Sequence, residues 1–366
     1  MSRDKILLTP GPLTTTLRTK LAMLNDWGSW DADFKEVTAK LRAALLKIIK
    51  DNGEYAVVPM QGSGTFSVEA AIGSVLPQDG HLLVLDNGAY CKRMALVSEK
   101  MGRKTTMISF PENEKVDVET VRAQLENDPS ITHVGLIHCE TGTGILNPLK
   151  EISDLCKAKN VGLIVDAMSS FGAYPTEAGE LQFDALIAAS GKCLEGVPGM
   201  GFVFLRKAII EDLKDNSPSV ALDLYDQYTY MERTGQWRFT PPTHVVVALY
   251  EAILQYFEEG GQEARLARYQ ANSDVLLAGM AELGIKPFLK EEDLTAIIVT
   301  FLAPDSDKYD FTTLYDVVKE EGFMLYPGKL TEVETFRVGS IGAISALEMR
   351  QAVNAVRFAL EKMNIQ

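Results

Sequence analysis

The stretch VGLIVDAMSSFG, residues 161–172, begins as a buried strand and then changes character. Gly162 to Val165 carries no polar residue, so neither face of the segment is built to meet water. A short, doubly apolar run of this kind is a strand in a parallel sheet that is covered on both sides. Asp166 follows at once, a carboxylate at the tip of that strand. Six further apolar runs accompany it: YAVVPM (55–60), HLLVLD (81–86), KTTMISF (104–110), THVGLIHC (132–139), FDALIAAS (183–190) and GFVFLR (201–206). Several are flanked by helical patterns such as SVEAAIGSVL, YCKRMALVSEKMG, VETVRAQLEND and LKEISDLCKAKN. Strands alternating with amphipathic helices predict an α/β fold with a mostly parallel, seven-stranded sheet. Ligands bind such sheets at the carboxyl ends of the strands, which puts Asp166 where a site is expected.

After WRFTPPTH (237–244) the pattern changes. VVVALYEAILQYFEEGG and QEARLARYQANSDVLLAGMAELG read as two long helices, the first ended by Gly260-Gly261. LTAIIVTFLAP, a helix around FTTLYDVVKEEG, a strand at FMLYPG and a last helix ALEMRQAVNAVRFALEKM then describe a smaller α+β unit. The expected organisation is an arm along the surface (1–15), a large α/β domain (16–258) and a small C-terminal domain (259–366). A chain of 366 residues suits that division. Its net charge of −14, from 36 Lys+Arg against 50 Asp+Glu, argues against nucleic-acid and anionic-membrane partners. Cys91, Cys139, Cys156 and Cys193 form no metal or C-x-x-C spacing and read as free thiols of a reducing, cytoplasmic compartment. The four histidines also lack metal-like spacing. MSRDKILLTPGPLTTT has too short an apolar run for a signal peptide. The acidic stretch EEGGQEAR is read as solvated helix ends.

Three pieces of chemistry stand out. MQGSGTFSVEAA (60–71) leaves an apolar run, places Gly62 and Gly64 around Ser63, and opens into a helix. Backbone N–H groups, the hydroxyls of Ser63 and Thr65, and the helix dipole suit a phosphate, although a plain serine cap would fit the same residues. IAASGKCLEGVPG (187–199) places Lys192 just after the next strand. DNGAYCKR places Tyr90 at the end of another. A lysine for a Schiff base, a carboxylate for a ring nitrogen, a phosphate cradle and an aromatic ring to stack on are together what pyridoxal phosphate requires.

TPGPL, QGSGTFSVEA, NGAY, HCETGTGILNP, DAMSSFG, GKCLEGVPG, WRFTPPTH, YPGK and FRVGSIG occur in the order of the alanine–glyoxylate and serine–pyruvate aminotransferase family, which the chain resembles from about residue 7 to residue 342. That resemblance implies a fold type I, pyridoxal-phosphate-dependent transferase that works as a homodimer. NGAY, DAMSSFG, GKCLEGVPG and WRFTPPTH are most similar to members acting on 2-aminoethylphosphonate and pyruvate, in phosphonate breakdown. Alanine or serine with glyoxylate or pyruvate is the alternative substrate pair.

The resemblance implies a role for each matched residue. Lys192 would carry the cofactor and move the proton, and Asp166 would face the ring nitrogen. Tyr90 and Met168 would cover the two ring faces. Ser63, Gly64 and Thr65 would hold the phosphate, together with Thr240 from the second subunit. Thr141 or Thr143 would lie near the phenolic oxygen, and Arg337 would bind the anionic end of the substrate. By position alone, Arg337 reads as a surface ion pair. One departure is Gly191, where relatives carry an amide that helps hold the phosphate.

Overall fold

The seven apolar runs pair into one sheet. The computed structural model describes residues 4–328 and 333–365; Lys329 of YPGK lies outside them. The chain opens with β1 (Ile6–Leu7), α1 (Leu17–Leu21) and α2 (Ala32–Ile48). It then alternates through β2 (Tyr55–Gln61), α3 (Gly64–Val75), β3 (His81–Asp86), α4 (Ala89–Lys100), β4 (Lys104–Ser109), α5 (Val118–Asn127), β5 (His133–Ile137), α6 (Leu149–Lys159) and β6 (Gly162–Asp166). Two strands without an intervening α-helix follow, β7 (Ala185–Ala189) and β8 (Met200–Arg206), and then α7 (Leu224–Thr234). The order across the sheet is β2-β8-β7-β6-β5-β3-β4. Only β8 runs against its neighbours.

Side chains along these strands alternate between two buried layers, as doubly apolar strands require. Leu83, Leu85, Leu163 and Val165 pack with Leu41 and Leu45 of α2 and Ile152 of α6. Leu82, Val84, Ile164 and Ile187 face the other way, against Val68 and Ile72 of α3 and Met94 of α4. Each such side chain, fully buried, contributes roughly 1.5–3 kcal/mol. KTTMISF differs from the other runs: as β4 it is one of the sheet's two outer strands, and unlike β2 at the other edge its polar positions and Met107 lie open or half-open.

α8 (Thr243–Glu259) packs into the first layer, and α9 (Gly261–Glu282) leads from it to a second core. That core is built from β9 (Ile298–Leu302), α10 (Phe311–Glu320), β12 (Thr335–Gly339) and α11 (Ala346–Lys362), with two short strands, β10 (Phe323–Met324) and β11 (Tyr326–Pro327), before β12. FMLYPG is therefore two strands and not one. β10 pairs in parallel with β1, whereas β11 pairs antiparallel with β12, so the chain changes sheets at the buried Leu325.

The N-terminal segment is not a surface arm. Ile6 and Leu8 are part of the second core, Thr9 and Leu13 are buried, and the Gly339 N–H donates to the Leu8 carbonyl (2.9 Å). The run Ile6-Leu7-Leu8 is short, yet it supplies one strand and two core side chains, which draws the following Thr9 and Pro10 into the interior while Pro12 stays exposed.

Candidate active site

In an open α/β sheet, the crevice for a ligand forms where the strand order reverses. Here the chain passes from β3 outward to β4 and returns to β5 on the other side of β3. The loops after β3 and β5 flank that point. They carry Tyr90 and Thr141, while Asp166 ends β6 beside them, in register with Ile137 and Ile187.

Asp166 is buried, and burial raises its carboxyl to about 6. The Met168 N–H donates to its Oδ1 (2.9 Å), and the charges of Lys192 and Arg93 oppose the rise. No second hydrogen bond to this carboxylate occurs among the described residues. A buried carboxylate with an oxygen to spare is a costly arrangement unless a ligand donor completes it.

Lys192 lies on the turn between β7 and β8. Its Nζ donates to the carbonyl of Pro10 (2.5 Å), so the TPGP segment covers the amine. Gly11 has φ +120°, and a Cβ there would lie 2.5 Å from that Nζ. The chain can pass the lysine only because this position has no side chain.

The Lys192 turn is clamped from behind. Arg265 of α9 donates to the Cys193 carbonyl (2.5 Å), and the Tyr269 hydroxyl donates to Glu195 Oε1 (2.7 Å). Arg268 bridges Glu195 (2.7 Å) and Glu259 (2.7 Å). Glu195 holds a left-handed backbone at φ 59° within this network. EEGGQEAR is solvated only in part: Glu258 and Glu263 are exposed, whereas Glu259 and Arg265 turn inward. The Gly260-Gly261 break folds Glu259 back onto Arg265 and Arg268, burying Arg265 and half-burying the other two. Removing one member of such a buried set typically costs about 3–5 kcal/mol. Cys193, wholly buried, is held as a thiol, its group raised to about 12 by burial.

Ser63 precedes the first residue of α3 but makes no side-chain cap bond to the helix, so the cap reading of this serine does not hold. Gly64 begins the helix against Met168: a Cβ at Gly64 would lie 2.6 Å from the Met168 sulfur. Met168 thus lies directly over the start of α3, whose free backbone N–H groups and dipole suit an anion.

Tyr90 starts α4. Its backbone N–H donates to Glu140 (3.2 Å), and its side chain lies close enough to Arg337 to favour the charged guanidinium. Thr141 exchanges a hydrogen bond with Ser169 (2.6 Å), whereas Thr143 is turned into its own loop, accepting from the Ile145 N–H (3.4 Å). Arg337 is not a surface ion pair. It is buried on β12, donating to the carbonyls of Pro327 (2.9 Å) and Thr141 (3.0 Å). Burial lowers its pKa from the usual arginine value, but a guanidinium stays charged. Thr240 is exposed, outside this cluster.

The sequence reading did not single out Pro10, Glu140 or Arg93. Glu140 is wholly buried and raised to about 7 by burial, and it accepts from the Tyr90 and Gly142 N–H groups. It ties the loop after β3 to the loop after β5. Its place inside HCETGTG, a polar motif straight after an apolar strand, was the available signal. His138 lies beneath the site: its N–H donates to the Asp166 carbonyl (2.8 Å) and its ring pairs with Ser170 (2.9 Å). Burial lowers it to about 4, so it is neutral and structural.

A class-V aminotransferase domain matches residues 23–342. The chain belongs to the class-V aminotransferases. A class-V relative from Polaromonas sp. strain JS666, 2-aminoethylphosphonate–pyruvate transaminase 2, is 63% identical over 100% of this chain and 98% of its own. A relative of the same activity name from Cupriavidus pinatubonensis is 56% identical over 99% of this chain and 96% of its own. Among solved structures, pyridoxamine–pyruvate aminotransferase from Mesorhizobium loti superposes with a TM-score of 0.92 at 24% identity, covering 100% of this chain and 94% of the other. Ureidoglycine–glyoxylate aminotransferase from Bacillus subtilis gives 0.90 at 21% identity, over 100% and 95%. At these identities the two structures speak for the fold alone. The fold type I architecture expected from the sequence is thus the one observed.

Proposed function

We propose that this class-V aminotransferase moves the amino group of 2-aminoethylphosphonate to pyruvate, yielding phosphonoacetaldehyde and L-alanine, with pyridoxal phosphate as cofactor. The observation that carries the substrate pair is the 63% identity, end to end, to the Polaromonas protein of that name. The donor set supports the cofactor: a buried carboxylate with one protein donor, a lysine beside it, and a helix start without a side-chain cap. When bound, pyridoxal phosphate supplies an aldehyde that takes up the amine and a ring that draws electrons from the adjacent carbon.

The chain's residues do the rest. Asp166 keeps a proton on the ring nitrogen, and Lys192 takes and returns the proton at the substrate carbon. The Pro10 carbonyl receives the lysine amine whenever it is released. Tyr90 and Met168 cover the ring, and Ser63, Gly64 and Thr65 hold the phosphate. Thr141 lies near the phenolic oxygen. The reading includes a homodimer in the cytoplasm, in which the exposed Thr240 reaches the other subunit's phosphate.

Arg337 suits both half-reactions, because one planar fork can pair with a phosphonate and then with a carboxylate. Arg337→Lys keeps the charge and loses the fork. It is expected to raise KM for both substrates by about 10- to 100-fold while kcat falls less. Steady-state kinetics with each substrate varied in turn will test this; an unchanged KM for 2-aminoethylphosphonate would remove Arg337 from the phosphonate site.

The decisive experiment records the visible spectrum of the purified holoenzyme with 2-aminoethylphosphonate and no keto acid. The yellow colour should bleach, and pyruvate alone should restore it. Bleaching by alanine or serine but not by 2-aminoethylphosphonate would transfer the assignment to the alternative donors. A colourless protein that takes up no pyridoxal phosphate would overturn the cofactor.

A further inference from the structure

Arg93 lies one helical turn beyond Tyr90 on α4. Its guanidinium carbon is 4.8 Å from the centre of the Tyr90 ring, and Nη1 donates to Thr65 Oγ1 (3.1 Å). It is also near enough to Asp166 to favour the ionised carboxylate. One side chain thus touches the stacking ring and the phosphate cradle, and its charge reaches the carboxylate.

Charge at the site makes this placement informative. A bound phosphate ester brings close to two negative charges, and the cradle residues Ser63, Gly64 and Thr65 carry none. The start of α3 contributes roughly half a positive charge. Arg337 is engaged by the Thr141 and Pro327 carbonyls and faces the substrate end. Lys192 must give up its charge to act. Gly191, beside the lysine, supplies no side chain, and the space over it is tight: a Cβ there would lie 3.3 Å from Pro198 Cα. Arg93 is the cation hydrogen-bonded to the cradle among the described residues.

We propose that Arg93 supplies the side-chain charge that holds the cofactor's phosphate, in place of a polar side chain at position 191. The inference rests on the pyridoxal phosphate reading above. Stacking on Tyr90 pre-sets the guanidinium, so it loses little freedom when the phosphate arrives. The same contact makes Arg93 a brace for the ring, and the two roles separate by ligand.

The test compares binding of pyridoxal phosphate and of pyridoxal, which lacks the phosphate, to the full chain freed of cofactor. Wild type, Arg93→Met and Arg93→Lys are measured by fluorescence titration. Arg93→Met is expected to weaken pyridoxal phosphate by about 10- to 100-fold, the usual worth of a charge-assisted hydrogen bond, and to leave pyridoxal unchanged. Arg93→Lys, which retains the charge, is expected to keep most of the preference for the phosphorylated ligand. Equal loss of both ligands in Arg93→Met, or an unaltered preference, would overturn the proposal and leave Arg93 as a brace. Should wild type bind neither ligand, the cofactor reading falls, and this inference with it.

Discussion

Replacing Lys192 by alanine is expected to lower turnover by about ten-thousand-fold or more, because in the proposed reading one residue both holds the cofactor and transfers the proton. The fold should survive. Lys192 Nζ is bonded to the Pro10 carbonyl, while the turn around it is fixed by Cys193, Glu195, Arg265 and Arg268. Circular dichroism should therefore match wild type. A small added amine such as methylamine should restore part of the rate, because the lost function is a proton carrier of the right basicity. Turnover above about a tenth of wild type would remove Lys192 from the chemistry.

Asp166→Asn keeps the shape of the side chain and removes its charge, and two opposite effects are expected. Turnover should fall by about 100- to 10,000-fold, as the ring nitrogen loses the partner that keeps it protonated. Without cofactor, however, the variant should be the more stable protein. Burial raises the carboxyl of Asp166 to about 6, so folding disfavours its ionised form. That penalty is absent below the usual carboxylate range, appears as pH rises, and is complete above about 6. Thermal unfolding of the cofactor-free proteins should show the variant ahead by on the order of 1–3 kcal/mol at neutral pH, with the gap closing in acid. A wild-type protein as stable as the variant at neutral pH would mean that Asp166 already has a protein partner. Adding pyridoxal phosphate should reverse the order, since the wild type alone gains a charge pair.

Most of the sheet was legible because its strands are apolar on both faces. The alternation of Leu82, Leu83, Val84 and Leu85 between two layers follows from that composition alone. β4 was legible as a strand but not as an edge, since edge position depends on which partner is missing. The N-terminal segment was misjudged because three apolar residues look too few to matter, and only pairing with β10 gives them a core. EEGGQEAR was half read for a related reason: charge in a sequence reads as exposure, which holds for Glu258 and Glu263, whereas the Gly260-Gly261 reversal pairs Glu259 with Arg265 and Arg268. Asp166, Lys192 and Tyr90 were readable from their places at strand ends. Arg337 by position alone pointed to the surface, and its motif corrected that reading. Arg93 and Glu140 act across loops far apart in sequence, so neither stood out in linear order.

The reversed strand β8 has a consequence for how forces are shared within the site. α3 and α4 open directly from the ends of β2 and β3, so the cradle and Tyr90 sit at the positive ends of helix dipoles. β6 ends in a turn, and β7 turns straight back into β8, so neither Asp166 nor Lys192 has an α-helix starting behind it. One half of the mouth is polarised permanently by the backbone. The other has no such helix end, and protonation of Asp166 there answers to burial, the Met168 N–H and the neighbouring charges of Lys192 and Arg93. For the proposed function, anchoring of the anion would thereby be built into the topology, and Asp166 and Lys192 would remain open to adjustment one residue at a time.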